Sequence, residues 1–227
     1  NALYRVLLKS HGASTLGGRK VWFDSDVHRI NYEDHGLYLG EFTGDDKILV
    51  VLPNGDYYFT DSDLNNHYEA DIQYIGKFDA NLIWTAVLYD ADNNNYPYIK
   101  RFMLEFSNKR QNFLGENNAS KLLLLSSQVY PRIQISYGGD DAFRSPEIID
   151  VDNFIKIKGF KAKGKRLTTY TIGEVTELEP TRYPEPTSAN TGNTENNISE
   201  EDTVQDPDVV KSDDEIRDEQ TGQLRLF

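Results

Sequence analysis

The 227-residue sequence has no cysteine. Neither a disulfide framework nor a thiolate metal site can therefore hold it together, and a reducing cytoplasm suits it. Long apolar runs are missing too. No stretch approaches the roughly 18 residues that cross a bilayer as a helix, and no signal peptide is visible, so no membrane partner is expected. Histidine is sparse: His11, His28, His35 and His67 show no metal-ligand spacing. No nucleophile elbow accompanies them, and the pairs Asp45-Asp46 and Asp140-Asp141 read as turn residues. No metal site and no catalytic residue is assigned, which argues against a free-standing hydrolase. An initiating methionine is absent as well; Asn1-Ala2 is expected to be an expression scar on a fragment of a longer protein.

Helix-period patterns are few, Tyr and Phe are abundant, and Gly recurs at turns, which favours an all-β chain. Strand signals begin at Leu3–Leu8. A Gly-rich loop with a basic end, Ser10 to Lys20, follows. It lacks the glycine spacing and the ensuing helix of a mononucleotide site, and a flexible loop touching DNA backbone through Arg19 and Lys20 suits it better. Short β-rich runs then recur: V-W-F-D, H-R-I-N-Y, L-Y-L-G-E-F, K-I-L-V-V-L and D-Y-Y-F-T, with Pro53-Asn54-Gly55 predicting a tight hairpin. Residues 64–68 suggest a short helical turn capped by Asp61 or Ser62. Further strands are expected at 72–78, 82–89 and 96–106. A weak internal repeat relates Tyr38-Leu39-Gly40-Glu41 to Phe113-Leu114-Gly115-Glu116 and Lys47–Val51 to Lys121–Leu125. Ile99–Phe102 corresponds more loosely to Arg166–Tyr170. Repeating all-β units suggest a radial or solenoid arrangement.

The formal net charge of -13 is unevenly placed. From Thr171 to Phe227 there are 15 Asp or Glu against 4 Lys or Arg, whereas the preceding residues carry 22 and 20. The body is nearly neutral, so a low overall pI does not oppose nucleic-acid binding there. Residues 180–222 are polar and acidic with few large apolar side chains, the composition of a disordered tail. It ends in Gln223-Leu224-Arg225-Leu226-Phe227, a candidate linear motif for a hydrophobic pocket.

Against this acidity stands Ile155 to Tyr170, in which Lys156, Lys158, Lys161, Lys163, Lys165 and Arg166 fall within eleven positions. If the segment is extended, its lysines form two short same-face rows, with a bulge or turn at Gly159. Such rows read as a phosphate-tracking ridge for duplex DNA. They read equally as a solubilising edge strand.

Several motifs in order, Gly12 to Asp24, L-G-E-F with its acidic loop, Y-P-Y-I-K-R-F, K-G-F-K-A-K-G-K-R-L-T-T and E-L-E-P-T-R, resemble the C-terminal domain of the DNA-cleaving (A-type) subunit of topoisomerase IV, with Bacteroidetes sequences most similar. The corresponding domain of DNA gyrase is a more distant likeness, and its Q-R-R-G-G-K-G box is not present. The resemblance covers roughly residues 3–184. It implies a β-pinwheel of four-stranded blades, of which residues 3–179 hold the last ones as a partial disc. It also implies a noncatalytic DNA-binding and DNA-bending module, located in the cytoplasm at the nucleoid. ATP, Mg and the ATPase (B-type) subunit serve the full enzyme, and no cofactor is implied for this piece. Carried over residue by residue, the DNA contacts would be Arg19, Lys20, Lys100, Arg101, Lys109, Arg110, Lys156, Lys158, Lys161, Lys163, Lys165 and Arg166. Residues 223–227 are similar to the peptide with which bacterial proteins dock on the replication sliding clamp, through Gln223, Leu224, Leu226 and Phe227. The alternative of a different class is a propeller-like protein-interaction module without DNA binding.

Overall fold

Strand-forming runs bounded by Asp, Asn and Gly give way to strands in a computed structural model, which describes residues 17–184. The expected strand at 3–8, the loop from Ser10 to Leu16, most of the acidic segment and the terminal pentapeptide lie outside the described residues.

Four sheets follow one another along the chain. In the first, β1 (Arg19–Asp24) lies between β2 (Arg29–Asn31) and β3 (Leu37–Phe42). The second has the order β6 (Tyr74–Lys77), β4 (Ile48–Val51), β5 (Asp56–Thr60), β9 (Gln111–Asn112). In the third, β10 (Lys121–Ser126), β7 (Ile83–Asp90) and β8 (Tyr96–Met103) are joined at the β8 edge by β13 (Lys158–Gly159) and β14 (Lys165–Arg166). The fourth places β11 (Arg132–Tyr137) between β12 (Glu147–Asp150) and β15 (Ile172–Leu178). The all-β expectation holds. Among the described residues only the second sheet has the expected four strands, and none of the four sheets closes on itself.

Alternation of side chains across the pleat explains how the sheets stack. Ile48 and Val50 enter one apolar layer with Val21, Phe23 and Ile30; Leu49 and Val51, one residue out of phase, enter the next with Trp84, Leu88 and Phe102. Likewise Tyr98 and Phe102 of β8 face that second layer, while Ile99 faces a third with Ile133, Ile135 and Ile149. β4 therefore reads as a continuous apolar run because both of its faces are covered, and β8 does so except at Lys100 and Arg101. Each buried Ile, Leu or Phe contributes roughly 1.5–3 kcal/mol.

The edge of a sheet is supplied from further down the chain. β9, which completes the second sheet, comes after the β7–β8 hairpin of the third; β13 and β14, which complete the third, come after the β11–β12 hairpin of the fourth. The first sheet shows the rudiment of the same exchange, where the Tyr68 N–H donates to the His28 carbonyl at 3.0 Å.

This exchange corrects the repeat read from the sequence. β1, β4, β7 and β11 are the equivalent central strands, whereas Lys47–Val51 lies in a central strand and Lys121–Leu125 in an edge strand. The two segments read as loose copies, around Ile99 and Arg166, are hydrogen-bonded partners: Lys165 pairs with Ile99 and Arg166 with Tyr98. The tight hairpin expected at 53–55 joins β4 to β5, with Gly55 left-handed at φ 82°, where a Cβ would lie 2.3 Å from Leu114 Cγ. One local expectation changes. Residues 64–68 form no helix; the Asp61 and Asp63 carboxylates instead cap successive turns through the amides of Asp63 and Asn65.

Candidate nucleic-acid interface

The basic segment is not an extended ridge. After β12, the single turn α1 (Val151–Phe154) buries Val151, and Ile155 follows it into the third apolar layer. That anchors the chain at the outer edge of β8. β13 then runs parallel to β8, with Lys158 opposite Phe102, and the chain turns where the Ala162 N–H donates to the Gly159 carbonyl at 2.9 Å. It returns antiparallel as β14, and the Leu167 N–H donates to the Pro97 carbonyl at 2.8 Å. Gly164 makes the return possible: at φ 89°, a Cβ there would lie 2.4 Å from the Ile99 carbonyl oxygen. The two straight rows expected from parity are replaced by a doubled-back loop, because two short pairings to one strand edge release the polar turn between them.

Lys156, Lys158, Lys161, Lys163, Lys165 and Arg166 are all exposed on this loop. Among the described residues none of them forms a salt bridge. Aromatic rings hold several of them instead. Lys163 Nζ lies 5.1 Å from the Tyr98 ring centroid, Arg166 5.1 Å from Tyr96, Lys161 5.7 Å from Phe160 and Lys165 3.9 Å from Phe154. A ring face attracts a cation through its quadrupole without cancelling its formal charge. The arrangement can thus order positive charge while leaving it available to an anion. Tyr96, Tyr98 and Phe154 were missed as part of the site, since aromatics in β-rich runs read as core; the alternate spacing of Tyr96 and Tyr98 at the start of β8 is the only sequence signal.

The remaining expected contacts divide. Arg19 and Lys20 are exposed at the start of β1 in the first sheet, away from the loop's own sheet, with Arg19 4.6 Å over the Tyr32 ring. Lys109 is exposed just before β9, at the donated edge of the second sheet, the position that the basic loop occupies in the third. Arg110 is engaged: Nη2 lies 2.7 Å from Glu69 Oε1.

Lys100 and Arg101 do not belong to the surface set. They are 5% and 7% exposed, on opposite faces of β8. Lys100 Nζ donates to the carbonyls of Phe160 at 2.6 Å and Phe113, and Arg101 Nη2 donates to the Val129 carbonyl. Burial pushes the Lys100 ammonium down to about 8 and lowers Arg101 as well. Alternation could only turn one of them outward; the sheets packed on both sides of β8 admit neither.

At the other end of the body Arg182 pairs with Asp152 of α1 and lies 4.2 Å over the Tyr130 ring. Gln223, Leu224, Leu226 and Phe227 lie outside the described residues. Among the described residues no three His, Asp or Glu side chains converge as metal ligands.

A family model described as topoisomerase C-terminal domain, Bacteroidota, matches residues 29–179, the greater part of the chain. No curated protein matches it.

Proposed function

Because the chain belongs to the topoisomerase C-terminal domain family of Bacteroidota, we propose that it is a noncatalytic duplex-DNA-binding module that guides DNA for a type IIA enzyme, topoisomerase IV. The exposed, unneutralised cations of the 156–166 loop carry this reading. They sit on the donated edge of the third sheet, which Lys100 ties through Phe160 and Phe113 to the donated edge of the second, where Lys109 stands. A duplex laid across successive donated edges would meet phosphate-binding side chains from each, which suits a β-pinwheel whose rim bends DNA. Arg19 and Lys20 would extend the contact to the first sheet. Lys100 and Arg101 have no part in it, and Arg110 enters only if its carboxylate partner lets go.

Contacts of this kind fix the position of the duplex and read no bases, so binding is nonspecific and salt-sensitive. In the full enzyme, ATP-dependent strand passage, relaxation and decatenation would be the work of other regions, with Mg and the ATPase (B-type) subunit, in the cytoplasm. Gln223, Leu224, Leu226 and Phe227 would tether the protein to the sliding clamp.

The test is duplex affinity against salt. With five or six phosphates neutralised, the slope of log affinity against log salt should be about -5. Lys161→Ala, Lys163→Ala and Lys165→Ala together should flatten it by two to three units, as about one counterion is released per contact. An unchanged slope and affinity in the folded triple variant would reject the interface.

A further inference from the structure

The side chain of Lys100 joins two segments that the chain brings in from far apart. Phe113 directly follows β9, which completes the second sheet; Phe160 lies in the turn between β13 and β14, which complete the third. Lys100 Nζ donates to both carbonyls from a position only 5% exposed between these sheets. The Phe160 ring reinforces the attachment, edge-on to Tyr57 at 5.7 Å. Beyond Phe160 the tip of the loop has less support, because Lys161, Ala162 and Lys163 border an open cavity of about 620 Å³ shared with Asp90, Asn112 and Leu114.

A solubilising loop has no need of this attachment. Burying an ammonium costs several kcal/mol unless hydrogen bonds compensate it, and an apolar side chain would fill the layer without that cost. What the lysine adds is geometry: one nitrogen fixes the distance between two donated edges, each bearing cations.

We propose that Lys100 is a positioning residue of the DNA interface, a buried cation that never meets the duplex but sets where Lys161 and Lys163 stand relative to Lys109 on the neighbouring edge. This rests on the DNA-binding reading above. Lys100→Met keeps the length and packing of the side chain and removes both hydrogen bonds. The loop then samples more positions, and binding must bear the cost of ordering it.

The experiment pairs duplex binding, read against salt, with amide hydrogen exchange on the same 227-residue protein. In Lys100→Met we expect faster exchange at Ala162 and Leu167 with the β4 and β7 amides still protected. We also expect duplex affinity lower by about three- to tenfold, the effect of losing preorganisation. Lys100→Arg, which can reach both carbonyls, should recover most of it. Unchanged exchange and affinity in a folded Lys100→Met would overturn the proposal. Should that variant not fold, Gly164→Ala displaces the same loop while keeping the Lys100 ammonium, its Cβ falling 2.4 Å from the Ile99 carbonyl oxygen and 2.8 Å from Lys100 Cγ. Normal affinity there would show that loop position is immaterial, and the proposal would fall. If the triple lysine variant binds DNA normally, the DNA reading itself has failed, while loop exchange in Lys100→Met still reports whether Lys100 places the loop.

Discussion

Arg110 Nη2 lies 2.7 Å from Glu69 Oε1, and the guanidinium is stacked 4.6 Å from the Tyr58 ring centroid. The other carboxylate oxygen accepts a hydrogen bond from the Tyr58 hydroxyl. Burial alone would raise the Glu69 carboxyl, but the bonds from Tyr58 and Arg110 prevail and hold it below the ordinary range. The cation is therefore committed within the protein, unlike the neighbouring Lys109. Glu69→Gln should release it for phosphate, steepening the salt slope by about one unit. Arg110→Ala should lower low-salt affinity less than Lys109→Ala, and cost at most about 1 kcal/mol of stability as a half-exposed pair. Binding isotherms and melts of the three variants check this; a larger loss from Arg110→Ala than from Lys109→Ala would contradict it.

The depressed ammonium of Lys100 gives stability an alkaline slope. Its folded-state value of about 8 lies below the ordinary 10.5, so the unfolded chain binds this proton more readily than the folded one. The cost of burying the charge is in full force below pH 8 and fades as the pH rises toward 10.5. A neutral amine still has two N–H donors for the Phe160 and Phe113 carbonyls, so the attachment survives deprotonation. Tyr57 and Tyr74, pushed up to about 12 by burial, stay neutral in the folded state throughout this window. Between about pH 8 and 9.5, stability should rise by up to about 2 kcal/mol in the native protein and stay flat in Lys100→Met. Urea denaturation across that range measures the difference.

Why the strands could be read while their partners could not is visible in β4 and β8. Ile48–Val51 announces itself by local composition, because a strand covered on both faces takes apolar side chains at every position, and Tyr96–Met103 does the same save at Lys100 and Arg101. The exchange of edges leaves no such trace: β9, β13 and β14 are two residues each, polar, and paired across long sequence separations. Parity misled at Lys100 for a related reason. Alternation tells which residues share a face, but whether another sheet covers that face is a tertiary fact. The six cations of the loop were legible because they oppose the composition of the whole chain. Their aromatic supports were hidden among strand residues, and the positive φ of Gly164 was one of many glycines until Ile99 stood beside it.

Glu177 is a second charge, half-buried, whose effect on stability has a definite sign. Its Oε1 accepts a hydrogen bond from the Ser126 hydroxyl, yet burial dominates and raises the carboxyl above the ordinary range, with Glu179 adding to the effect. A carboxyl raised in the folded state destabilises once the pH exceeds its unfolded value, and the penalty is relieved as the pH falls back through that window. Glu177→Gln can still accept from Ser126 without the charge. It should raise the melting temperature at pH 7, and the gain should shrink as the pH falls below the ordinary carboxyl value, where Glu177 too becomes protonated. Equal melting temperatures of the two proteins at pH 7 would count against the assignment.

Tyr57 offers a sharper division between ring and hydroxyl. The residue is 0% exposed, its ring packs edge-on to Phe59 at 6.0 Å and to Phe160 at 5.7 Å, and it lies over Phe113 at 6.4 Å. Among the described residues its hydroxyl has no hydrogen-bond partner. Burial, with Glu105 nearby, pushes that hydroxyl up to about 12, the mark of a polar group taken from water without compensation. A buried group left unpaired costs about 1–3 kcal/mol, so Tyr57→Phe should raise stability by about 1 kcal/mol. Tyr57→Ala removes the ring on which Phe160 rests and should cost about 3–5 kcal/mol. It should also weaken duplex binding, because the loop loses its apolar support, whereas Tyr57→Phe should bind as the native protein does. Denaturation and binding curves for the pair give the answer; a loss of more than about 1 kcal/mol in Tyr57→Phe would mean that the hydroxyl is bonded after all, to a water within the layer.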